Sequence, residues 1–586
     1  MKREIAMSLA RVLRKAISRA MLLAALVGAV AFVGCTESGG TDEPNNNTTT
    51  TPDEPNEPEE PQPEPDKPKV EPNEVTKWVD ERLQNEYYWL DIYKANIDKF
   101  DYSLDYDKFL STSLLSLTGN EMDGYTSNGT RYLYSFITRE STSRAADDRM
   151  ENSFGIVIAP KYYAGDAKGT AILIIEHVYP GSPAAEAGLK RGDLIVKVDG
   201  STISSPDTTI GLQQFYSQRD KLESGSGSIA IEGERLDRDS GEYSEYSLSF
   251  TSASYDPNPV AHYSVLEIDE DIKEQIGGTE GKKIGYISYL GFEKEWDDKL
   301  IEAVDYLAEQ NITDLILDLR INAGGSVNSS ITLASMLLSE SYIGQTYAIL
   351  KRHPENTLFP KDELDSECLI SRTGFGDFKF TDLPNLNLPK LWVIASDYTA
   401  SASEMIIKGF EGLDVPVHIV GKTTNGKNCG MDVMEKVFGQ YRYTYAPITF
   451  MNYNAKGDND YADGITPNVD FDQFYDKSNP TKDLLSYECY VFPLPRANWT
   501  EVDLIKVAGG YNFSGDFALY ETILQVFGYT TLKKSTSAQI NIKPAEMVTR
   551  ATTLRTVGEV PVIPNHRAYG ATLTEAERLA LEEARK

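Results

Sequence analysis

The sequence predicts an α/β protein: a strand–helix alternating core, preceded by a β-rich unit and a small helical unit. Three observations carry this. From about Lys282, short apolar runs of strand type alternate with helical patterns, over 284–288, 297–309, 314–319, 329–338, 391–395, 401–410 and 417–420; such alternation builds a sheet with parallel pairing and right-handed crossovers. Ahead of it, two β-type runs, 172–175 and 194–198, flank one short helical turn. A 40% apolar fraction with 34 Tyr and 21 Phe in 586 residues supplies ample core and excludes wholesale disorder.

Charge narrows the function classes. With 57 basic against 89 acidic side chains the net charge is −32, which repels phosphate backbones and excludes nucleic acid as the expected partner. Four Cys are too few for a disulfide-stapled scaffold.

The first 34 residues run against this acidity. Lys2, Arg3, Arg11, Arg14, Lys15 and Arg19 face only Glu4, and the apolar stretch Met21–Val33 follows. That stretch is shorter than the roughly 20 residues a spanning helix needs, so residues 1–34 are expected to be an export signal. Phe32-Val33-Gly34-Cys35 resembles the lipobox of bacterial lipoproteins, with Phe32 in place of the usual Leu. The resemblance implies lipidation at Cys35 and an exported protein anchored by lipid at the outer membrane of the bacterial cell envelope. Residues 35–74 are a tether: nine of the 28 prolines and 12 acidic residues leave almost nothing apolar to bury.

Residues 75–148 start with Trp78, Val79, Leu83, Phe109, Leu110 and Leu114 at helical spacing, which predicts a small aromatic-rich helical unit. Residues 119–150 are expected to be a loose connection. Residues 149–253 hold Gly181-Ser-Pro-Ala-Ala-Glu-Ala-Gly-Leu-Lys-Arg-Gly-Asp-Leu-Ile-Val-Lys-Val-Asp-Gly200. Pro183 suits a first helical turn and Gly188 a left-handed helix end. This string resembles the PDZ domains attached to bacterial periplasmic proteases. The resemblance implies that Ser153, Phe154, Gly155 and Ile156 form the loop whose N–H groups catch the free carboxylate of a peptide added as an extra strand.

Residues 262–476 carry the chemistry. Three turns follow strands at the sheet end where ligands usually bind. In the first, Gly324-Gly325 can turn a backbone N–H toward an oxyanion. In the second, Ser401 stands where a strand turns into a helix, with the Ala402 N–H next to it; Ser403 competes as nucleophile, and Ser401-x-x-Glu404 also spells a capping box. In the third, Lys427 can act as base if burial lowers its pKa, with Lys422 second. The five His sit in no triad-like motif and Gly-x-Ser-x-Gly is absent.

In this order, after a PDZ-like string, the three turns are similar to the carboxyl-terminal processing (tail-specific) protease family over about residues 150–475. That resemblance implies a crotonase-like (ClpP/crotonase) α/β core with a Ser/Lys dyad. Ser401 becomes the nucleophile, Lys427 the general base, and the N–H groups of Ala402 and of Gly324 and Gly325 the oxyanion donors. Asp463-Gly-Ile-Thr-Pro467 resembles the family's closing segment. Two departures stand out: Met431 where many members carry a Gln that orients the lysine, with Asn428 as a possible substitute, and Ala323 where Pro is common.

Cys429 reads as a small buried core residue. No CxxC, HExxH or EF-hand pattern occurs, so neither metal nor cofactor is expected. Residues 477–586 suggest one docked helix after Gly515-Asp516 and an amphipathic one over 573–586, without chemistry. The expectation is a serine endopeptidase cleaving exported, unfolded or tail-exposed proteins near their C-termini, with the PDZ unit recognising the free C-terminus of the protein or peptide substrate. The alternative is a PDZ-based peptide-binding scaffold with an impaired dyad.

Overall fold

The computed structural model describes residues 72–471, apart from several short stretches, together with 505–506, 516–528 and 556–559. The expected export signal, Cys35, the tether up to residue 71 and the 573–586 helix lie outside the described residues.

At the centre is a six-stranded sheet in the order Val260–Val265, Ile284–Tyr289, Asp314–Asp318, Leu391–Ala395, Val417–Gly421, Val469–Asp470. The last five pair parallel and Val260–Val265 joins antiparallel. Strands covered on both faces read as unbroken apolar runs, and their period of two sorts the side chains into two layers. Ile287, Leu315, Leu317, Val393 and Ala395 pack with the helices Asp297–Glu309, Val327–Leu337 and Ala402–Gly412. Tyr286, Ile316, Trp392, Ile394 and Val420 pack with the helix Phe517–Val526. The C-terminal segment therefore supplies the second covering layer of the core.

Local sequence accounts for these helices. In Asp297–Glu309, Asp297 and Asp298 sit in the first turn, where the helix dipole favours anions, and Leu300, Ala303, Val304 and Leu307 form one buried stripe.

Helices Glu74–Glu86 and Tyr106–Leu115 precede the core. Asn73 caps the first by accepting the Thr76 N–H at 2.8 Å. Trp78, Val79, Leu83 and Phe109 share one cluster with Met431, Met434, Tyr445 and Ile448, so this region packs against the 429–451 part of the α/β region. The 119–150 stretch, expected to be loose, contains the strand Phe136–Ser141, which pairs antiparallel with Tyr441–Ala446. Its Ser/Thr/Arg-rich composition hid a strand whose stability comes from that distant partner.

The β-rich unit is one sheet in the order Tyr243–Thr251, Ser228–Leu236, Leu194–Val198, Ala171–Val178, Ile156–Ala164, Thr556–Glu559. Ser182 caps the short helix Pro183–Glu186, and Gly188 takes φ +86° just beyond it. A further helix, Thr209–Ser224, buries Phe215 and Leu222 against the sheet with Tyr216 packed beside them, while Ile210 is exposed. The strand Thr556–Glu559 pairs antiparallel with residues 161–163 on the outer edge of Ile156–Ala164.

Candidate active site

The three turns converge at the C-terminal edge of the parallel sheet. Ser401 lies between the strand Leu391–Ala395 and the helix Ala402–Gly412, with φ 54° and ψ −114°. A side-chain-bearing residue held at positive φ is strained by about 1–3 kcal/mol and persists only where its surroundings fix it. Here Ala400 donates its N–H to Asn322 O at 3.3 Å and Ser401 donates its own to Glu404 Oε2 at 2.8 Å. Ser403 is fully buried and its Oγ donates to Asn322 O at 3.0 Å. Ser401 keeps 9% exposure, so of the two serines it is the accessible one. At the first position of the following helix, the Ala402 N–H has no carbonyl one turn back to bond.

The glycine pair presses against this turn. A Cβ on Gly324, whose φ is +96°, would stand 2.7 Å from Ala400 O and 2.8 Å from both Ala402 N and Ser401 Cβ. Gly324 was expected to offer its N–H to an oxyanion; instead that N–H donates to Asn322 Oδ1 at 2.8 Å. The side-chain amide two residues back captures it in a local turn, so Gly324 contributes close approach to the Ser401 turn. Gly325 has φ +142° and bridges Phe292.

Lys427 is buried, with Nζ 5.0 Å from the ring centre of Tyr134. Burial lowers its pKa to about 8, against the opposing pull of Cys429, Asp123 and Glu404. Glu404 links the parts. Its Oε2 accepts the N–H groups of Ser401 (2.8 Å) and Lys427 (2.9 Å), and its Oε1 accepts Thr424 Oγ1 (2.5 Å) and the Gly426 N–H (2.7 Å). Burial pushes this carboxyl up to about 7, while those four donors favour its charged form.

The other candidates separate from Lys427. Lys422 lies 3.4 Å from Asp397 Oδ2 and pairs with it. Asn428 turns its amide to Asn459, at 2.7 Å from Oδ1 and 3.0 Å from the carbonyl. Met431 is buried in the cluster with Trp78 and Tyr445. Cys429 is buried too, its thiol pushed up to about 12 by desolvation, which keeps it a neutral core residue.

In the β-rich unit, Phe154 is fully buried and Ser153 Oγ lies 3.1 Å from Tyr255 OH. The Phe154 and Gly155 carbonyls accept N–H groups of Ala184 (3.1 Å) and Tyr179 (2.9 Å), and Ile156 starts the paired strand. Gly155, at φ +78°, lets the loop lie against Ser182, since a Cβ there would stand 2.1 Å from Ser182 Cβ. The helix Thr209–Ser224 is tied to the strand Ile156–Ala164 through Arg219, which donates to the Ile158 carbonyl at 3.3 Å and to Glu223 Oε2 at 3.2 Å.

Sequence reasoning missed Tyr134 and Asp123, because both fall in the stretch taken for a loose connection. Glu404 was visible only as half of a capping box. Among the described residues, no group of His, Cys, Asp and Glu has a metal-holding arrangement.

Residues 283–471 match the model of Peptidase family S41, and residues 174–215 match a PDZ domain. The chain is similar to a carboxyl-terminal-processing protease of Picosynechococcus, 24% identical over 257 residues, which are 44% of this chain and 51% of that protein. It is also similar to the chloroplastic carboxyl-terminal-processing peptidase 2 of Arabidopsis thaliana, 29% identical over 189 residues, 32% of this chain and 33% of that one. The chain thus spans about half of the first relative and a third of the second. A crystal structure of an S41 protease from Bacteroides fragilis NCTC 9343 aligns with a TM-score of 0.55 and 19% identity, over 79% of this chain and 99% of that one; at that identity the likeness concerns the fold. The class these matches define is that of the S41 peptidases, over the matched region. Within it, the 283–471 region carries an S41 peptidase core, with a PDZ domain ahead of it.

Proposed function

We propose that this protein is a Ser/Lys-dyad endopeptidase that cleaves exported polypeptides near their C-termini. The observation that carries the reading is the buried Lys427, its pKa lowered to about 8, bonded through its backbone to the same Glu404 oxygen as Ser401. Ser401 Oγ attacks the scissile carbonyl carbon as its proton passes to the neutral Lys427 amine. The N–H groups of Ala402 and Gly325 receive the oxyanion. Collapse expels the amine product, which takes the proton from Lys427 and leaves an acyl-Ser401. Water then attacks that ester, Lys427 accepts its proton, and Ser401 regains it as the acid product leaves.

The PDZ loop Ser153–Ile156 would receive a substrate C-terminus, whose preceding residues extend along Ile156–Ala164. The far part of that edge is paired with Thr556–Glu559, so a ligand strand would be short or would displace it. Anchorage through Cys35, by way of a charged tether, would hold the peptidase at the envelope membrane, on its periplasmic or surface face. The core is proposed to be crotonase-like.

The test is casein or tailed-peptide cleavage by Ser401→Ala and Ser403→Ala. Loss in the first and retention in the second is the expected result; activity surviving in Ser401→Ala overturns the assignment. Met431 favours a second reading, a peptide-binding scaffold with an impaired dyad, because it brings no hydrogen-bonding group to the lysine. Fluorophosphonate labelling of Ser401 separates the two, since a scaffold binds peptide without labelling.

A further inference from the structure

The helix Phe517–Val526 begins with a buried carboxylate that no part of the mechanism uses. Asp516 is fully buried and caps that helix, its Oδ1 accepting the Leu519 N–H at 3.0 Å. The same Oδ1 accepts Arg320 Nη1 at 2.9 Å, and Oδ2 lies 3.4 Å from Arg191 Nη1 and 3.5 Å from Arg191 Nη2. One carboxylate from the C-terminal segment therefore joins an arginine of the PDZ domain to an arginine of the peptidase core.

Each arginine has a second partner. Arg320, 2% exposed, forks onto Asp318 at 2.9 and 2.6 Å, and Asp318 also accepts Tyr286 OH at 2.6 Å. Arg191 donates to Glu176 through its side chain at 3.2 Å and to the Glu176 carbonyl at 3.0 Å. Neither guanidinium would be stranded by neutralising Asp516 alone, so the link can be cut without leaving an unpaired buried charge.

What Arg320 holds is the oxyanion turn. It leaves the Asp314–Asp318 strand at the start of Arg320-Ile-Asn-Ala-Gly-Gly325. Its carbonyl accepts Ser396 Oγ from the loop leading to Ser401. Two residues on, Asn322 accepts the Gly324 and Ala400 N–H groups and Ser403 Oγ. Through Arg320, Asp516 thus fixes the base of the turn that carries Gly325 and abuts Ser401.

We propose that Asp516 is a positioning residue that ties PDZ-domain placement to the geometry of the oxyanion hole, through Arg191 on one side and Arg320 on the other. The inference rests on the peptidase reading given above. Because the carboxylate acts through Arg320, its loss weakens stabilisation of the tetrahedral species more than ground-state substrate binding.

The test uses full-length Asp516→Asn, with Asp516→Glu as the conservative rescue. Competent sites are first counted by fluorophosphonate titration, so misfolded enzyme drops out. Per titrated site, kcat on a short peptide is expected to fall at least tenfold with KM unchanged. Affinity for a peptide boronate, which mimics the tetrahedral adduct, should fall by a similar factor, with partial recovery in Asp516→Glu. Unchanged kcat per site with unchanged boronate affinity overturns the proposal, even if the melting temperature drops. If wild-type enzyme neither labels at Ser401 nor cleaves, the peptidase reading has failed instead.

Discussion

Ser401 and Lys427 are bonded, through their backbone N–H groups, to one and the same oxygen, Oε2 of Glu404, at 2.8 and 2.9 Å. Two turns that follow different strands are thereby set in register by a single buried carboxylate. The spacing that reads as a helix cap in the sequence is also the strut of the site.

Glu404→Gln replaces one oxygen of that strut by an NH₂ group facing two N–H donors. Unsatisfied buried donors cost about 1–3 kcal/mol each. Urea unfolding should show a loss of that order, and kcat should fall by at least tenfold. Wild-type turnover in Glu404→Gln would show that the shared oxygen does not position the dyad.

The buried lysine makes activity depend on pH. Its folded pKa is about 8, below the roughly 10.4 of an unfolded lysine. Only the neutral amine accepts a proton, so kcat/KM should rise with pH through about 8 and level off above it. Stability follows with a definite sign. Between about 8 and 10.4 the unfolded chain binds the extra proton, so stability rises with pH across that window. Below it, the cost of burying the charged amine is fully present. In Lys427→Met this component of the pH dependence of urea stability should vanish along with activity.

Gly324→Ala tests the close approach. The added Cβ would meet Ala400 O, Ala402 N and Ser401 Cβ, all within 2.8 Å, at a φ of +96°. Backbone strain and overpacking of this kind cost about 1–3 kcal/mol. Melting temperature should drop modestly, while kcat should fall more than tenfold because the elbow itself must shift.

Gly155→Ala makes the matching test in the PDZ domain. Its Cβ would collide with Ser182, the cap of Pro183–Glu186. Fluorescence anisotropy with C-terminal peptides should report weakened binding, while fluorophosphonate labelling of Ser401 is retained. Unchanged peptide affinity would remove this loop from substrate recognition.

Much of the core was legible in the chain itself. Strand Leu391–Ala395 and helix Asp297–Glu309 have the bounds their patterns predict, because strands buried on both faces are continuous apolar runs and an amphipathic helix shows its stripe. The Ser401 and Lys427 turns were legible because strand-to-helix corners and glycine-bounded loops are local chemistry. By contrast, Phe136–Ser141 takes its stability from Tyr441–Ala446, some 300 residues away, and Tyr134 comes to Lys427 only through that pairing.

The sequence alone determined the order of segments, the strand–helix alternation, the candidate nucleophile and the candidate base, since each depends on neighbours within one or two turns. Tertiary structure decided which serine is accessible, that the Gly324 N–H is spent on Asn322, that Lys427 loses basicity, and that Asp516 joins two arginines from distant parts of the chain. Those outcomes depend on burial and on long-range hydrogen bonds. Desolvation and convergence of this kind exist only once the layers have packed.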